Sequence, residues 1–302
     1  MSRIDEALRR AQLGDIREPQ RRTDFGDSEP PLDRYPRENR DRVEGSKLAE
    51  MGGVATIAAR RTGVKGQFTQ LDSSVEGKLI LSTETSPVAV EEYRRMAAEL
   101  LGLQVERGLK TLMVTSTLPQ EGKTLTVANL ALTFSESYKR KVLLIDADLR
   151  MPAVGRLFGL PNVAGLSEGL RAEGSQLPIL QVSSHLSVVP AGAPDENPMS
   201  KLTSPRMTSL IKQAAASFDW VLLDAPPVGL MPDANLLARL TDAVVYVIGA
   251  GSTPFALIER AINDLGRDCI VGTVLNRVAP NTLVQSYYRS YYDPVEVPQG
   301  VG

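Results

Sequence analysis

Residues 111–124 read Thr-Leu-Met-Val-Thr-Ser-Thr-Leu-Pro-Gln-Glu-Gly-Lys-Thr, and residues 142–150 read Val-Leu-Leu-Ile-Asp-Ala-Asp-Leu-Arg. Each opens as a short apolar run, the pattern of a strand covered on both faces. The first run passes through a polar loop into Gly122-Lys123-Thr124 and then a helical pattern over 124–138. The second ends by presenting Asp146 and Asp148, two carboxylates on one side of an extended chain. Strand, loop, helix start, then strand and paired carboxylates is the order of a parallel α/β nucleotide site.

The same alternation continues outward from these two stretches. Apolar runs at 186–189, 220–223, 243–248 and 270–275 read as strands, and 204–217, 232–240 and 254–265 as helices. The expected fold is therefore α/β, with a doubly wound, mostly parallel sheet. A further helix should start at Ser86-Pro87, with Ser as N-cap and Pro at the first helical position. Upstream, 78–81 reads as a candidate short strand, while the rest of 47–80 has no clear pattern. Residues 14–46 are rich in Arg, Asp, Glu and Pro, and too poor in apolar residues to offset their ordering entropy, so a disordered linker is expected. Ile4, Ala7, Leu8 and Ala11 form a helical stripe, either a frayed end or a docking peptide. The division expected is 1–80 as extension, 81–284 as the nucleotide domain and 285–302 as a tail.

Composition excludes several classes. A net charge of −2 in 302 residues leaves no electrostatic footprint for nucleic acid. One cysteine, Cys269, excludes an internal disulfide and fits a reducing compartment. With one histidine, His185, zinc ligands and a Ser-His-Asp site are poorly supplied. No apolar run reaches the ~20 residues of a membrane span, so a cytoplasmic location is expected, with any membrane contact through a partner.

The loop residues Pro119, Gln120, Glu121, Gly122, Lys123, Thr124 and Leu125 lead into a helix whose first amides and dipole favour phosphate. Lys123 would reach the β- and γ-phosphates of ATP, and Thr124 would bind Mg²⁺. Asp148 suits the same cation, which prefers oxygen ligands. Arg150 adds a fixed positive charge for phosphate or for the Asp pair. The run Trp220-Val-Leu-Leu-Asp224 ends in another carboxylate, the pattern of a residue that helps hold Mg²⁺. Each aspartate alone would be an ordinary cap or turn residue; three strand-end carboxylates beside the loop are not.

At these residues the chain resembles the bacterial tyrosine kinases of capsule and exopolysaccharide synthesis, in their stand-alone form, which belong to the deviant-Walker P-loop NTPases. The resemblance runs from about Ser86 to Tyr292. The loop is similar to the family's Walker A motif, 143–152 to its Walker A′ motif and 221–228 to Walker B. It implies an ATP- and Mg²⁺-dependent tyrosine autokinase with Lys123, Asp146 and Asp148 as catalytic residues, in which Asp146, or Asp148 next, takes the tyrosine's proton and Asn276 lies near the adenine. It implies that Tyr287, Tyr288, Tyr291 and Tyr292 are phosphoacceptors presented to a neighbouring subunit. It implies a homo-oligomer, with Glu91 and Arg94 matching two places of a Glu-x-x-Arg-x-x-Arg assembly motif. It also implies activation by a separate membrane chain-length or co-polymerase protein, which recruits the kinase to the inner face of the membrane.

The sequence departs from that pattern at three places. Ala97 stands at the third motif position, Thr117 where the loop pattern has glycine, and Gln120 at a loop position that is often glycine. A rival reading is a switch ATPase of the partitioning and septum-placement class, but Leu118 stands where that class carries its signature lysine. A scaffold that binds nucleotide without kinase activity is the third reading.

Overall fold

The computed structural model describes residues 78–82, 85–171 and 177–278. The expected helix over 2–12, the linker over 14–46 and the tyrosines at 287–292 lie outside the described residues.

The chain runs α1 (Pro87–Arg107), β1 (Thr111–Ser116), α2 (Lys123–Leu132), β2 (Val142–Asp146), α3 (Val154–Leu157), α4 (Leu166–Gly169), β3 (Leu180–Gln181) and β4 (Leu186–Val189). It continues α5 (Met199–Leu202), α6 (Pro205–Ser217), β5 (Trp220–Asp224), α7 (Asp233–Ala238), β6 (Ala243–Gly249), α8 (Phe255–Leu265) and β7 (Ile270–Asn276). The sheet order is β3-β4-β2-β5-β1-β6-β7. Every pairing is parallel except β3 with β4.

Alternation along each strand divides the core into two halves. Leu112, Val114, Val142, Leu144, Trp220, Leu222, Val245 and Val247 pack on the α1/α2 side. Met113, Leu143, Ile145, Val221, Leu223, Val244, Tyr246 and Ile248 pack against α6, α7 and α8. Both faces are buried, which is why these strands carry continuous apolar runs. Phe134 stacks on Trp220 with ring centroids 4.8 Å apart and planes 14° from parallel.

Three local expectations are corrected. The stretch 78–81 is a turn: the side chain of Asn129 on α2 accepts from Ile80 N (3.0 Å) and donates to Lys78 O (3.0 Å), in place of a neighbouring strand. Ser86 precedes α1 and Pro87 opens it, but the serine side chain makes no capping bond. The helix after the loop is α-helical only to Leu132, then widens into a π-turn at Thr133–Ser137. There the Thr133 hydroxyl donates to Asn129 O (2.7 Å), a side-chain bond of the sort that loosens a helical ladder. The three four-residue helices and the two-residue edge strand β3 are too short to show a period in sequence.

Candidate nucleotide site

The parallel register sets the site. Asp146 and Asp224 are partners at the ends of adjacent strands β2 and β5, and β1 lies on the other side of β5. The loop leaving β1 therefore enters α2 directly beside both carboxylates. Lys123, the first residue of α2, is 7% exposed. Its Nζ donates to Asp148 Oδ2 at 2.8 Å and lies 3.5 Å from Asp224 Oδ1. Thr124 Oγ1 donates to Asp224 Oδ2 at 2.7 Å. Asp146 Oδ2 accepts from the amides of Ala153 and Val154 at 3.1 and 3.0 Å. Asp148 Oδ1 accepts from Met151 N at 3.0 Å.

Three buried carboxylates thus surround one ammonium. Burial would lower the Lys123 pKa, but the charges of Asp224 and Asp148 outweigh it and hold the ammonium above its ordinary value. Burial, then the neighbouring Asp224 charge, pushes Asp146 up to about 8. Burial also raises Asp224, against the opposing pull of Lys123 and Thr124.

This donor set fits a magnesium nucleotide. Asp146 Oδ1 and Asp224 Oδ1 are buried oxygens with no hydrogen-bond donor on them. The N-cap of α2, Gly122, makes no side-chain cap, so the first helical amides are offered to a ligand. Among the described residues, no cluster of three or more His, Cys, Asp or Glu could hold a metal by itself. Mg²⁺ typically needs only one or two carboxylates and completes its shell from phosphate and water.

The loop shows how the sequence departures are accommodated. Gln120 has φ 65° and Gly122 φ 98°, both left-handed. A Cβ on Gly122 would lie 2.0 Å from Asn276 Nδ2. Thr117, by contrast, has no positive φ. Its hydroxyl is buried 2.8 Å from that of Tyr246, so a threonine serves where the pattern has glycine.

Other expected site residues are placed differently from their simplest reading. Arg150 does not hold Asp146 or Asp148; its Nε donates to Asp233 Oδ2 at 2.6 Å, and Nη1 donates to Glu196 O. The carboxylate of Glu121 is tied into the fold, on Leu118 N, Gly249 N and Thr253 Oγ1. Asn276 Nδ2 donates to Glu121 O at 2.8 Å and braces the loop. Pro119 and Leu125 flank it. Glu91 and Arg94 form an ion pair with each other at 2.5 Å on α1, whereas Ala97 is fully buried in the core. Asp233, Tyr246 and Thr253 have roles that sequence reasoning missed. Tyr246 carried a signal, because a hydroxyl inside a buried strand requires a partner.

The nucleotide-binding domain of CobQ, CobB, MinD and ParA matches residues 112–301. Tyrosine-protein kinase YwqD of Bacillus subtilis is 36% identical over 208 residues, covering 68% of this chain and 87% of that protein. Succinoglycan biosynthesis transport protein ExoP of Rhizobium meliloti is 33% identical over 181 residues, covering 58% of this chain and 23% of that protein. The kinase domain of the Escherichia coli tyrosine kinase ETK is similar in structure, with TM-score 0.59 and 29% identity over 64% of this chain and 78% of that domain.

Proposed function

Because the chain belongs to the CobQ/CobB/MinD/ParA nucleotide-binding family, and within it to the bacterial tyrosine-protein kinases of capsule and exopolysaccharide synthesis, we propose that it transfers phosphate from ATP to its own C-terminal tyrosines. The observation that carries this reading is the enclosure of Lys123, at the head of α2, by Asp148, Asp224 and Asp146.

On this reading the α2 amides and Lys123 hold the β- and γ-phosphates, with Pro119, Gln120, Glu121, Gly122, Thr124, Leu125, Arg150 and Asn276 around the nucleotide. Thr124, Asp148 and Asp224 would hold Mg²⁺, which would supply charge stabilisation to the transferring phosphoryl group. On nucleotide binding, Lys123 exchanges carboxylate partners for phosphate oxygens. A tyrosine hydroxyl, with pKa near 10, forms an O–P bond to the γ-phosphorus while the β–γ bridging bond breaks and ADP leaves. The ionised form of Asp146 receives the hydroxyl proton, and burial raises the proton affinity of that carboxylate.

The acceptors are Tyr287, Tyr288, Tyr291 and Tyr292 of an adjacent copy. Accumulated phosphates on one tail repel one another and disassemble the oligomer. Glu91 and Arg94 would contribute to the contact between copies by exchanging their ion pair across it. We assign 1–80 to an N-terminal extension, 81–284 to the kinase domain and 285–302 to the acceptor tail. Among the described residues no helix is long and apolar enough to cross a membrane. In ExoP the matched segment is 23% of a protein named for succinoglycan transport. Here a separate membrane chain-length or co-polymerase protein would supply that function, activate the kinase and hold it at the inner face of the membrane.

The test is incubation with ATP and Mg²⁺ and the partner's cytoplasmic segment, followed by mass mapping. Phosphate on residues 287–292 is expected, absent in Lys123→Met. An unmodified tail, or rapid ATP hydrolysis without phosphotyrosine, would refute the kinase mechanism and favour a switch ATPase.

A further inference from the structure

Glu121 directly precedes Gly122-Lys123-Thr124, yet its side chain is inside the protein, 3% exposed. Three donors converge on its two oxygens. Leu118 N, from the same loop, donates to Oε2 at 2.6 Å. Gly249 N, at the end of β6, donates to Oε1 at 2.9 Å, and Thr253 Oγ1, four residues later, donates to the same oxygen. Its carbonyl accepts from Asn276 Nδ2, at the end of β7, at 2.8 Å. One residue is therefore gripped from the phosphate loop and from two further strand ends. Gly249 lies close against this arrangement: a Cβ there would touch Cγ and Oε1 of Glu121 at 3.4 Å, an ordinary contact, and would clash with Ser252 Oγ at 2.5 Å.

We propose that Glu121 is a positioning residue that latches the phosphate loop to the β6–α8 loop and so holds Gln120 in its left-handed conformation before nucleotide arrives. The proposal rests on reading this loop as the phosphate site. Gln120 at φ 65° adopts a backbone that glycine takes freely and other residues take at a cost. The sequence has no glycine at 120, so another contact must hold the turn. The next residue is that contact. A buried carboxylate that accepts three hydrogen bonds fixes the peptide units on either side of it, and a loop shaped in advance binds more tightly.

The experiment measures the dissociation constant and stoichiometry for a fluorescent ATP analogue with Mg²⁺. Wild type is compared with Glu121→Ala, Thr253→Val, Thr253→Ser and the double variant Gln120→Gly/Glu121→Ala. Glu121→Ala should weaken binding about tenfold, the effect of releasing one strained residue, with stoichiometry retained. Gln120→Gly in that background should recover part of the loss, because glycine needs no latch. Thr253→Val should weaken binding, and Thr253→Ser, which keeps the hydroxyl, should restore it. In nucleotide-free protein, amide exchange over 120–122 should be faster in Glu121→Ala than in wild type.

An unchanged dissociation constant overturns the proposal. So does lowered stoichiometry at unchanged affinity, which marks a folding role alone, or a double variant no tighter than the single. If Glu121→Ala does not fold, the Thr253 pair decides, and equal affinities for Val and Ser overturn it. Wild type that binds no nucleotide would refute the phosphate-site reading itself, a result distinct from wild type that binds while the variants match it.

Discussion

Asp146→Asn should make the magnesium-free protein more stable while abolishing phosphotransfer. Oδ2 of Asp146 accepts two amides, while Oδ1 is buried without a donor beside the cross-strand Asp224. Asparagine keeps an acceptor for the two amides and removes the charge. The carboxyl is raised from 3.8 to about 8 in the folded protein, by burial first and by Asp224 next. A raised acid binds its proton more tightly when folded, so stability falls as pH climbs from the unfolded value through the folded one. At 1.36 kcal/mol per unit, protonating this carboxyl on folding costs about 2 kcal/mol at pH 5 and about 4 at pH 7, and burying its charge costs about 6 above pH 8. These are ceilings, because Lys123 and Asp224 readjust with Asp146. A gain of about 1–4 kcal/mol at pH 7 is expected, as when a buried charge is replaced by a neutral group of like shape. Urea denaturation in EDTA at pH 5, 7 and 8.5 measures it as the shift in midpoint at constant slope. An asparagine variant less stable than wild type at pH 7, or a difference that does not grow with pH, would refute the reasoning. Retained phosphotransfer would show that Asp146 is not the proton acceptor.

Lys123→Met leaves Asp148 and Asp224 without their cation; ATP binding should be lost, and stability at pH 7 should fall by about 3–5 kcal/mol, read from urea midpoints. Asn129→Ala strips the partners from Ile80 N and Lys78 O and should cost about 1–3 kcal/mol, measured by thermal melting and by faster proteolysis at 78–82. Ala97→Arg, which would complete the assembly motif in sequence, places a guanidinium at a fully buried position and should destabilise by more than about 3 kcal/mol. An Ala97→Arg variant that folds normally and forms larger oligomers by light scattering would show that α1 is free to turn this face outward.

Much of the fold was legible because a doubly covered parallel strand must be apolar along its whole length. Each of β1, β2, β4, β5, β6 and β7 starts at the residue its apolar run marks. β4 also ends where its run ends, at Val189, and β5, β6 and β7 extend one residue further. The short helices at Val154–Leu157 and Leu166–Gly169 were not legible, since four residues hold one turn and no period. The stretch 78–81 was misread as a strand because Leu79 and Ile80 are apolar. What receives their backbone is an amide side chain 49 residues away from Ile80, which local sequence cannot announce.

That strand ends rich in carboxylate would meet a Gly-Lys-Thr loop follows from residue order alone, because hydrophobic periodicity sets strands and strand ends set where ligands bind. How the charges are shared was set by the folded arrangement. It paired Arg150 with Asp233, left Lys123 among three carboxylates, and tied Glu121, next to the left-handed Gln120, to the β6–α8 loop. Those outcomes depend on strand register and on hydrogen-bond partners 25 to 155 residues away along the chain. Electrostatic and hydrogen-bond energies fall off over a few ångströms in space, whereas sequence reports distance along the chain.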